Sequence, residues 1–97
     1  MDNQLTDEQL IARGTQAERI LSDEVLMGFL NEMRSDLLTC IGNTQPDDKT
    51  TRDTLYFEHR GLVALEAHLT AYRETARGII ERDALDQAAA KPDLETD

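Results

Sequence analysis

A seam of apolar residues with helical spacing runs through the second half of the chain and constrains the fold more than any other feature. Its members recur at steps of seven, or of three and four, which keeps side chains on one face of an α-helix. The seam consists of Leu55, Leu62, Leu65, Leu69, Tyr72, Ala76 and Ile79. It predicts a single long helix over residues 49–82, with an apolar face that other helices must cover.

Two shorter helices are predicted before this one. Thr6 is followed by Gln9 at the spacing of a capping box, which predicts a first helix over residues 7–21. Asp23 and its neighbours resemble a second helix cap, and they precede a predicted helix over residues 23–41. The apolar stripe of this second helix consists of Leu26, Phe29, Leu30, Met33, Leu37, Cys40 and Ile41. Nothing in the chain alternates with a period of two, so we predict no strand.

These patterns predict an all-α fold, a long antiparallel helical hairpin with a shorter N-terminal helix. We expect a single helical domain over residues 1–85 and a flexible acidic tail over residues 86–97. The polar run TQPDDKTTRD, residues 44–53, is expected to form the turn between the second and third helices. Gly42 and Asn43, just before it, predict a left-handed conformation at the end of the second helix.

The chain is strongly acidic, with twenty Asp and Glu against ten Lys and Arg and a net charge of −10. Such a surface repels phosphate backbones, so we do not expect a nucleic-acid partner unless basic residues gather on one face. No apolar run approaches the roughly 20 residues that a membrane span needs. The start MDNQLTDEQL lacks the basic and apolar segments of a secretory signal. We therefore expect neither a membrane partner nor secretion by a signal peptide.

Cys40 with His59 or His68 is the pair to consider for nucleophilic catalysis, which needs an accessible thiol and a nearby base. Cys40 lies within the apolar stripe of the second helix, which predicts a buried structural thiol. The two histidines lack the Glu-x-x-His or His-x-x-x-His spacing that aims two ligands at one ion. We therefore predict no catalytic, cofactor-binding or metal-binding residue, and a protein that is not an enzyme.

Glu58 is the polar residue that interrupts the seam of the third helix, between Leu55 and Leu62. In an antiparallel hairpin, Arg34 of the second helix lies at about the same height. The pattern predicts a Glu58–Arg34 contact that determines the register of the two helices. The alternative is that Glu58 belongs to a pocket that binds a partner.

A second set of apolar residues lies off the two main stripes and predicts a surface for a partner or for oligomerisation. Because one hairpin does not need apolar residues on two faces, an assembly is one explanation for them. The other explanation is that the first helix covers them within the monomer. The candidate interface residues are Tyr56, Val63, Ala67 and Thr70 on the third helix, Phe57 beside them, and Met27 and Leu38 on the second helix.

The segments AERILSDEVLMGFLNEMRSDLL and TQPDDKTTRDTLYFEHRGLVALEAHL combine an apolar helix, a polar turn with Asp, an Arg at the start of the next helix, and a leucine seam. Over about residues 16–82, this pattern resembles small helical-hairpin proteins of tailed bacteriophages and prophages. The resemblance implies an accessory virion or assembly protein, located in the host cytoplasm or the virion. It implies binding to itself or to a larger phage or host protein, and it carries no catalytic residues onto this chain.

The leading functional prediction is a non-enzymatic phage structural or assembly protein that oligomerises, or docks on a larger protein, through its helical faces. The alternative is an acidic inhibitor or nucleic-acid mimic that blocks a basic host protein, because the net charge of −10 is large for so short a chain. A third class, a helical DNA-packaging adaptor, would require Arg60, Arg73 and Arg77 to line one shared surface in a ring.

Overall fold

The computed structural model describes residues 4–90, which form three α-helices. They are α1 (Asp7–Leu21), α2 (Glu24–Gly42) and α3 (Lys49–Ala90). No strand occurs within this part of the chain. The predicted all-α fold is confirmed.

Local side-chain caps determine where α1 and α2 begin. The hydroxyl of Thr6 accepts a hydrogen bond from the Gln9 backbone N–H at 3.1 Å, and the Gln9 side chain accepts one from the Thr6 N–H at 2.8 Å. Asp23 caps α2, since its carboxylate accepts hydrogen bonds from the N–H groups of Val25 and Leu26, each at 3.0 Å. These bonds satisfy N–H groups that have no partner inside the helix.

The third helix is longer than its apolar seam predicts. It has 42 residues, which corresponds to about 63 Å at the usual rise, and it continues through ALDQAAA to Ala90. Alanine, leucine and glutamine are good helix formers, so the helix has no local reason to stop earlier. The predicted flexible tail is therefore wrong for residues 86–90, and residues 91–97 lie outside the described part of the chain.

Arg52 holds the turn between α2 and α3. Its Nε donates a hydrogen bond to the Thr44 hydroxyl at 3.1 Å, and its Nη2 donates to the carbonyl oxygens of Gln45 at 3.0 Å and Pro46 at 3.1 Å. The predicted left-handed end of α2 is wrong, because Asn43 has φ −95° and ψ 0° and residues 4–90 contain no positive φ. The bonds from Arg52 stabilise the turn without that conformation.

Asp48 is the capping residue at the start of α3. Its carboxylate accepts a hydrogen bond from the Thr51 backbone N–H at 3.1 Å. Hydrogen bonds from the Thr51 hydroxyl and from this N–H lower the pKa of Asp48 below its usual value. The charged form of Asp48 therefore stabilises the folded helix.

The helices α1 and α3 pack closely at Gly14. A Cβ atom placed on this glycine would lie 2.1 Å from the Cβ of Ala76 and 2.8 Å from the carbonyl oxygen of Tyr72. The two helix backbones can approach this closely only because Gly14 has no side chain and that of Ala76 is small. Both residues are buried.

Charged pairs flank this crossing and show that α1 runs antiparallel to α3. Near the end of α1, Glu18 pairs with Arg77 at 3.1 Å and with Arg73 at 3.6 Å. At its start, Asp7 pairs with Arg82 at 2.6 Å, and this hydrogen bond raises the pKa of the guanidinium above its usual value. These pairs are exposed to solvent or nearly so, so each contributes little to stability.

The contact between α2 and α3 is different from the predicted one. Arg34 forms an ion pair with Glu66, while Glu58 is exposed, so the predicted Arg34–Glu58 register pair is wrong. The Arg34–Glu66 pair shows that α2 is displaced along α3 from the predicted register. This offset moves the partner of Arg34 two helical turns beyond Glu58.

The molecule is elongated, with extents of 78 × 36 × 19 Å. Its radius of gyration is 21.1 Å, whereas a compact domain of this length has about 13 Å. The protein is therefore an extended three-helix structure in which α1 is the main packing partner of α3. The buried apolar core consists of Ala17, Leu37, Leu62, Ala76 and Ile79.

Replacing Gly14 with alanine should destabilise the protein, although alanine favours helices. The added methyl group overlaps Ala76, and such overpacking costs about 1–3 kcal/mol. Gly78→Ala is the matched control, because a Cβ there meets no atom within 4 Å. It should raise stability by about 0.5–1 kcal/mol. Urea unfolding followed by circular dichroism measures both, and equal stabilisation by the two substitutions would contradict the close approach.

Replacing Arg52 with alanine removes three hydrogen bonds from the turn. We expect the free energy of unfolding to fall by about 1–2 kcal/mol, because two backbone carbonyls lose a charged donor. Arg19→Ala is the control, since Arg19 is exposed and has no side-chain hydrogen bond or ion pair among residues 4–90. An equal effect of the two substitutions in urea unfolding would contradict the role of Arg52 in the turn.

The cap at Asp48 predicts a dependence on pH. A lowered folded-state pKa contributes stability above the unfolded-state value of about 3.9, and this contribution is lost as the pH falls through the folded-state value. Asp48→Ala should therefore lower the melting temperature at pH 7, and its difference from the wild type should shrink below about pH 4. Asp47→Ala, which removes the neighbouring exposed carboxylate, should show no such pattern.

Candidate interaction surfaces

Large apolar side chains on the outside of the helices are the main candidates for a functional surface. Twelve of them are exposed in residues 4–90, against five apolar residues in the core. Large contiguous apolar patches are rare on monomeric proteins and often mark sites of interaction. The exposed residues are Ile20, Val25, Leu26, Phe29, Met33, Leu38, Tyr56, Phe57, Val63, Leu65, Ile80 and Leu85.

The apolar stripe of α2 divides into two parts. Leu37 is buried, and Leu30 and Ile41 are partly buried. Phe29 is 64% exposed and Met33 is 54% exposed. The stripe is too wide for α3 to cover, because α2 touches α3 along one side only.

Cys40 belongs to the exposed part, so the prediction that it is a buried thiol is wrong. Its position on the stripe was predicted correctly, but the side of the stripe that packs against α3 was not apparent from the spacing. No hydrogen bond joins Cys40 to another side chain in the described part of the chain.

We call this exposed part the α2 groove. It is an open depression with Phe29, Met33, Leu37 and Cys40 as its apolar lining. Glu32 and Asp36 also line it and form its acidic edge, and all six residues belong to α2. The groove is therefore open to solvent along one face of a single helix.

The two carboxylates of this edge lie one helical turn apart and repel each other. Neither Glu32 nor Asp36 has an ion pair or a side-chain hydrogen bond within residues 4–90. The nearest arginine in sequence, Arg34, is directed towards Glu66 and donates a second hydrogen bond to Asn31 at 2.7 Å. The acidic edge is therefore without a neutralising group in the described part of the chain.

The predicted second stripe on α3 is largely uncovered. Tyr56 is 50% exposed, Val63 is 45% exposed and Ala67 is exposed, while Thr70 is partly buried. The explanation that the first helix covers this stripe is therefore wrong at its three exposed positions. The reason is length, since α1 spans only about 22 Å and packs on the C-terminal half of α3.

The remaining predicted interface residues also include both exposed and partly buried side chains. Phe57 is 66% exposed, and its ring contacts that of Tyr56 edge to face, with centroids 6.3 Å apart. Leu38 is exposed, whereas Met27 is partly buried. Five of the seven predicted residues are thus accessible to a partner, and two are partly covered by the protein itself.

The arginines required for a DNA-packaging surface are not equally available. Arg77 pairs with Glu18 and Glu74, each at 3.1 Å, and Arg73 pairs with the same two carboxylates. Arg60 is exposed and has no ion pair among residues 4–90. The charges of Arg73 and Arg77 are therefore neutralised within the chain.

The described residues do not bring the candidate catalytic groups together. His68 packs edge to face against Tyr72, with ring centroids 5.0 Å apart. His59 is partly buried on α3, and no hydrogen bond links either histidine to Cys40. Within residues 4–90, no group of three or more His, Cys, Asp or Glu residues could hold a metal ion.

None of the helices in the described range combines the length and the apolar character that a bilayer-crossing segment requires.

Comparisons with protein-family models, with curated proteins and with solved structures found no match to this chain. The resemblance to phage helical-hairpin proteins therefore stays a prediction from the sequence.

Several features of these surfaces were missed at the level of sequence. Glu66 gave no signal as the partner of Arg34, because Glu58 and Glu66 flank the apolar seam of α3 on either side of Leu62. The acidic pair Glu32 and Asp36 could have been recognised, since carboxylates four residues apart share a helix face. Its position beside an exposed apolar groove depends on how α2 packs, which spacing alone does not determine.

Proposed function

We propose that this protein is a non-enzymatic structural or assembly protein that acts by helix-mediated oligomerisation or by docking on a larger protein. The observation that carries the proposal is the combination of an elongated shape and a five-residue apolar core with large apolar side chains on the outer faces of α2 and α3. We propose further that α2 and α3 act together as an antiparallel helical hairpin. The phage-like sequence pattern makes virion assembly the context of the proposal.

The energetics favour burial of these surfaces. Completely burying a side chain such as Phe29, Met33 or Val63 contributes about 1.5–3 kcal/mol, and each is now roughly half exposed or more. A chain of this size with a thin core is marginally stable by itself. Any partner that binds only the folded form adds stability by mass action.

The stripe on α3 is the better surface for self-association. Its residues Tyr56, Val63, Ala67 and Thr70 are uncharged, and the unpaired charge on the same face within residues 4–90 is the exposed Arg60, one turn beyond Tyr56. Glu66, which lines the adjoining depression with Val63, is neutralised by Arg34. We therefore assign oligomerisation to the α3 stripe.

An acidic inhibitor that blocks a basic host protein is the second candidate. The observation in its favour is the pair Glu32 and Asp36, which is not neutralised within residues 4–90. Nucleic-acid mimicry needs a regular array of carboxylates, whereas α2 exposes Phe29 and Met33 beside this pair. These exposed apolar side chains favour docking on a protein over mimicry of a nucleic acid.

Self-association through the α3 stripe is tested with Val63→Glu. We expect the wild type to form a discrete oligomer that persists at high salt, because an apolar interface is not screened by ions. The substitution should shift it to a monomer, since it would bury an unpaired charge. Light scattering after size-exclusion chromatography measures the molar mass.

Ala64→Glu is the matched control, because it adds the same charge at the next position, which points about 100° away around α3. It should leave the oligomer intact. A wild-type monomer at low and high salt, or equal dissociation by both substitutions, would contradict self-association through this stripe.

A further inference from the structure

We infer that the α2 groove binds a cationic amphipathic helix of another protein. The inference rests on the proposed function and names the chemistry of the partner. The groove was defined above by its apolar lining, Phe29, Met33, Leu37 and Cys40, and by its acidic edge, Glu32 and Asp36.

The dimensions of the groove suit a helix. From Phe29 to Cys40 the lining extends over twelve residues, or about 16 Å along α2, which is about three helical turns. The lining residues recur at steps of four, four and three, so they match the apolar residues of an amphipathic helix packed alongside. Every lining residue belongs to α2, so the depression is open to solvent on its outer side.

The acidic edge specifies the charge of the partner. Glu32 and Asp36 are one turn apart, so lysines or arginines at positions i and i+4 of the docked helix can reach both carboxylates. Docking would also relieve the repulsion between the two. Opposite charge at the edge of an apolar contact favours the correct partner and its register.

A second copy of this chain is a poor occupant. Packing α2 against α2 in antiparallel order would place Glu32 and Asp36 of one copy near the same acidic pair of the other, and like charges in an interface are costly.

The basic residues of the chain do not supply a matching cationic helix either. Arg73, Arg77 and Arg82 are engaged with acidic residues of α1. The bases without an ion pair within residues 4–90 are Arg13, Arg19, Arg52 and Arg60. No two of these recur at a spacing of three or four, and Arg13 stacks on the Tyr72 ring at 5.8 Å. The cationic helix must therefore come from a different protein.

The test uses the full chain and two synthetic helical peptides. One carries leucines on one face, lysines at positions i and i+4 along its edge, and a single tryptophan. The second replaces the lysines with glutamates. Because the protein has no tryptophan, the fluorescence change on titration belongs to the peptide alone. We expect the cationic peptide to bind with an affinity that decreases as salt is added, and the anionic peptide not to bind.

Two pairs of variants locate the binding site. Phe29→Ala should weaken binding about tenfold or more, whereas Leu85→Ala, which shortens a slightly more exposed apolar side chain on α3, should not. The double substitution Glu32→Gln with Asp36→Asn should weaken binding about threefold to tenfold and reduce its salt dependence. Glu58→Gln with Glu81→Gln removes the same total charge elsewhere and should have little effect. All these positions are exposed, and circular dichroism checks that the variants fold.

The possible outcomes separate this inference from the proposed function. Equal binding of both peptides, or equal losses in test and control variants, would overturn the inference. The same holds if the peptide does not bind while Phe29→Ala dissociates an oligomer, because the occupant is then a second copy. In that case helix-mediated assembly is still supported. It is also supported whenever Val63→Glu dissociates the wild-type oligomer. The wild type could instead be a monomer whose molar mass Val63→Glu leaves unchanged. If this monomer binds the cationic peptide specifically, the groove is supported as a binding site and self-association through the α3 stripe is contradicted.

Discussion

The length of α3 is the constraint on which the rest of this structure depends. A helix of 42 residues extends about 63 Å, whereas α1 and α2 would reach only about 51 Å if they lay end to end along it. The two shorter helices also approach α3 unequally, since α1 packs closely at Gly14 and α2 makes a more limited contact through Arg34 and Leu37. Part of every helix therefore stays exposed, and the molecule is 78 Å long with a five-residue apolar core.

The inequality between the two contacts explains where the candidate surfaces lie. At the α1–α3 crossing, Gly14 and Ala76 let the backbones approach, and both residues are buried there. At the α2–α3 contact, the ion pair between Arg34 and Glu66 occupies one side of α2. The apolar residues on its other side, together with the α3 stripe, are the surfaces that a partner could bury. The two surfaces differ in charge, which is why one is assigned to self-association and the other to a cationic partner.

The sequence predicted the helices far better than their contacts. The starts of α1 and α2 depend on hydrogen bonds within three residues, from Thr6 and Asp23, so their signals are visible in the chain. The pairing of Arg34 depends on the offset between α2 and α3, and no local pattern encodes that offset. The prediction that Cys40 is buried was wrong for a related reason. Spacing identifies an apolar stripe but not the side of it that another helix covers.

The sequence by itself determined that this protein is helical, approximately where its helices begin, and which residues form apolar stripes, because capping and helical periodicity are local properties. It also determined the acidic charge and the pair Glu32 and Asp36. Only the tertiary structure decided that α1 covers one half of α3, that Gly14 is a point of close approach, and that α2 exposes a groove with an acidic edge. These features depend on how far each helix reaches and at which residues two helices meet. The points at which two helices meet are set by contacts between residues far apart in the chain, which no local pattern records.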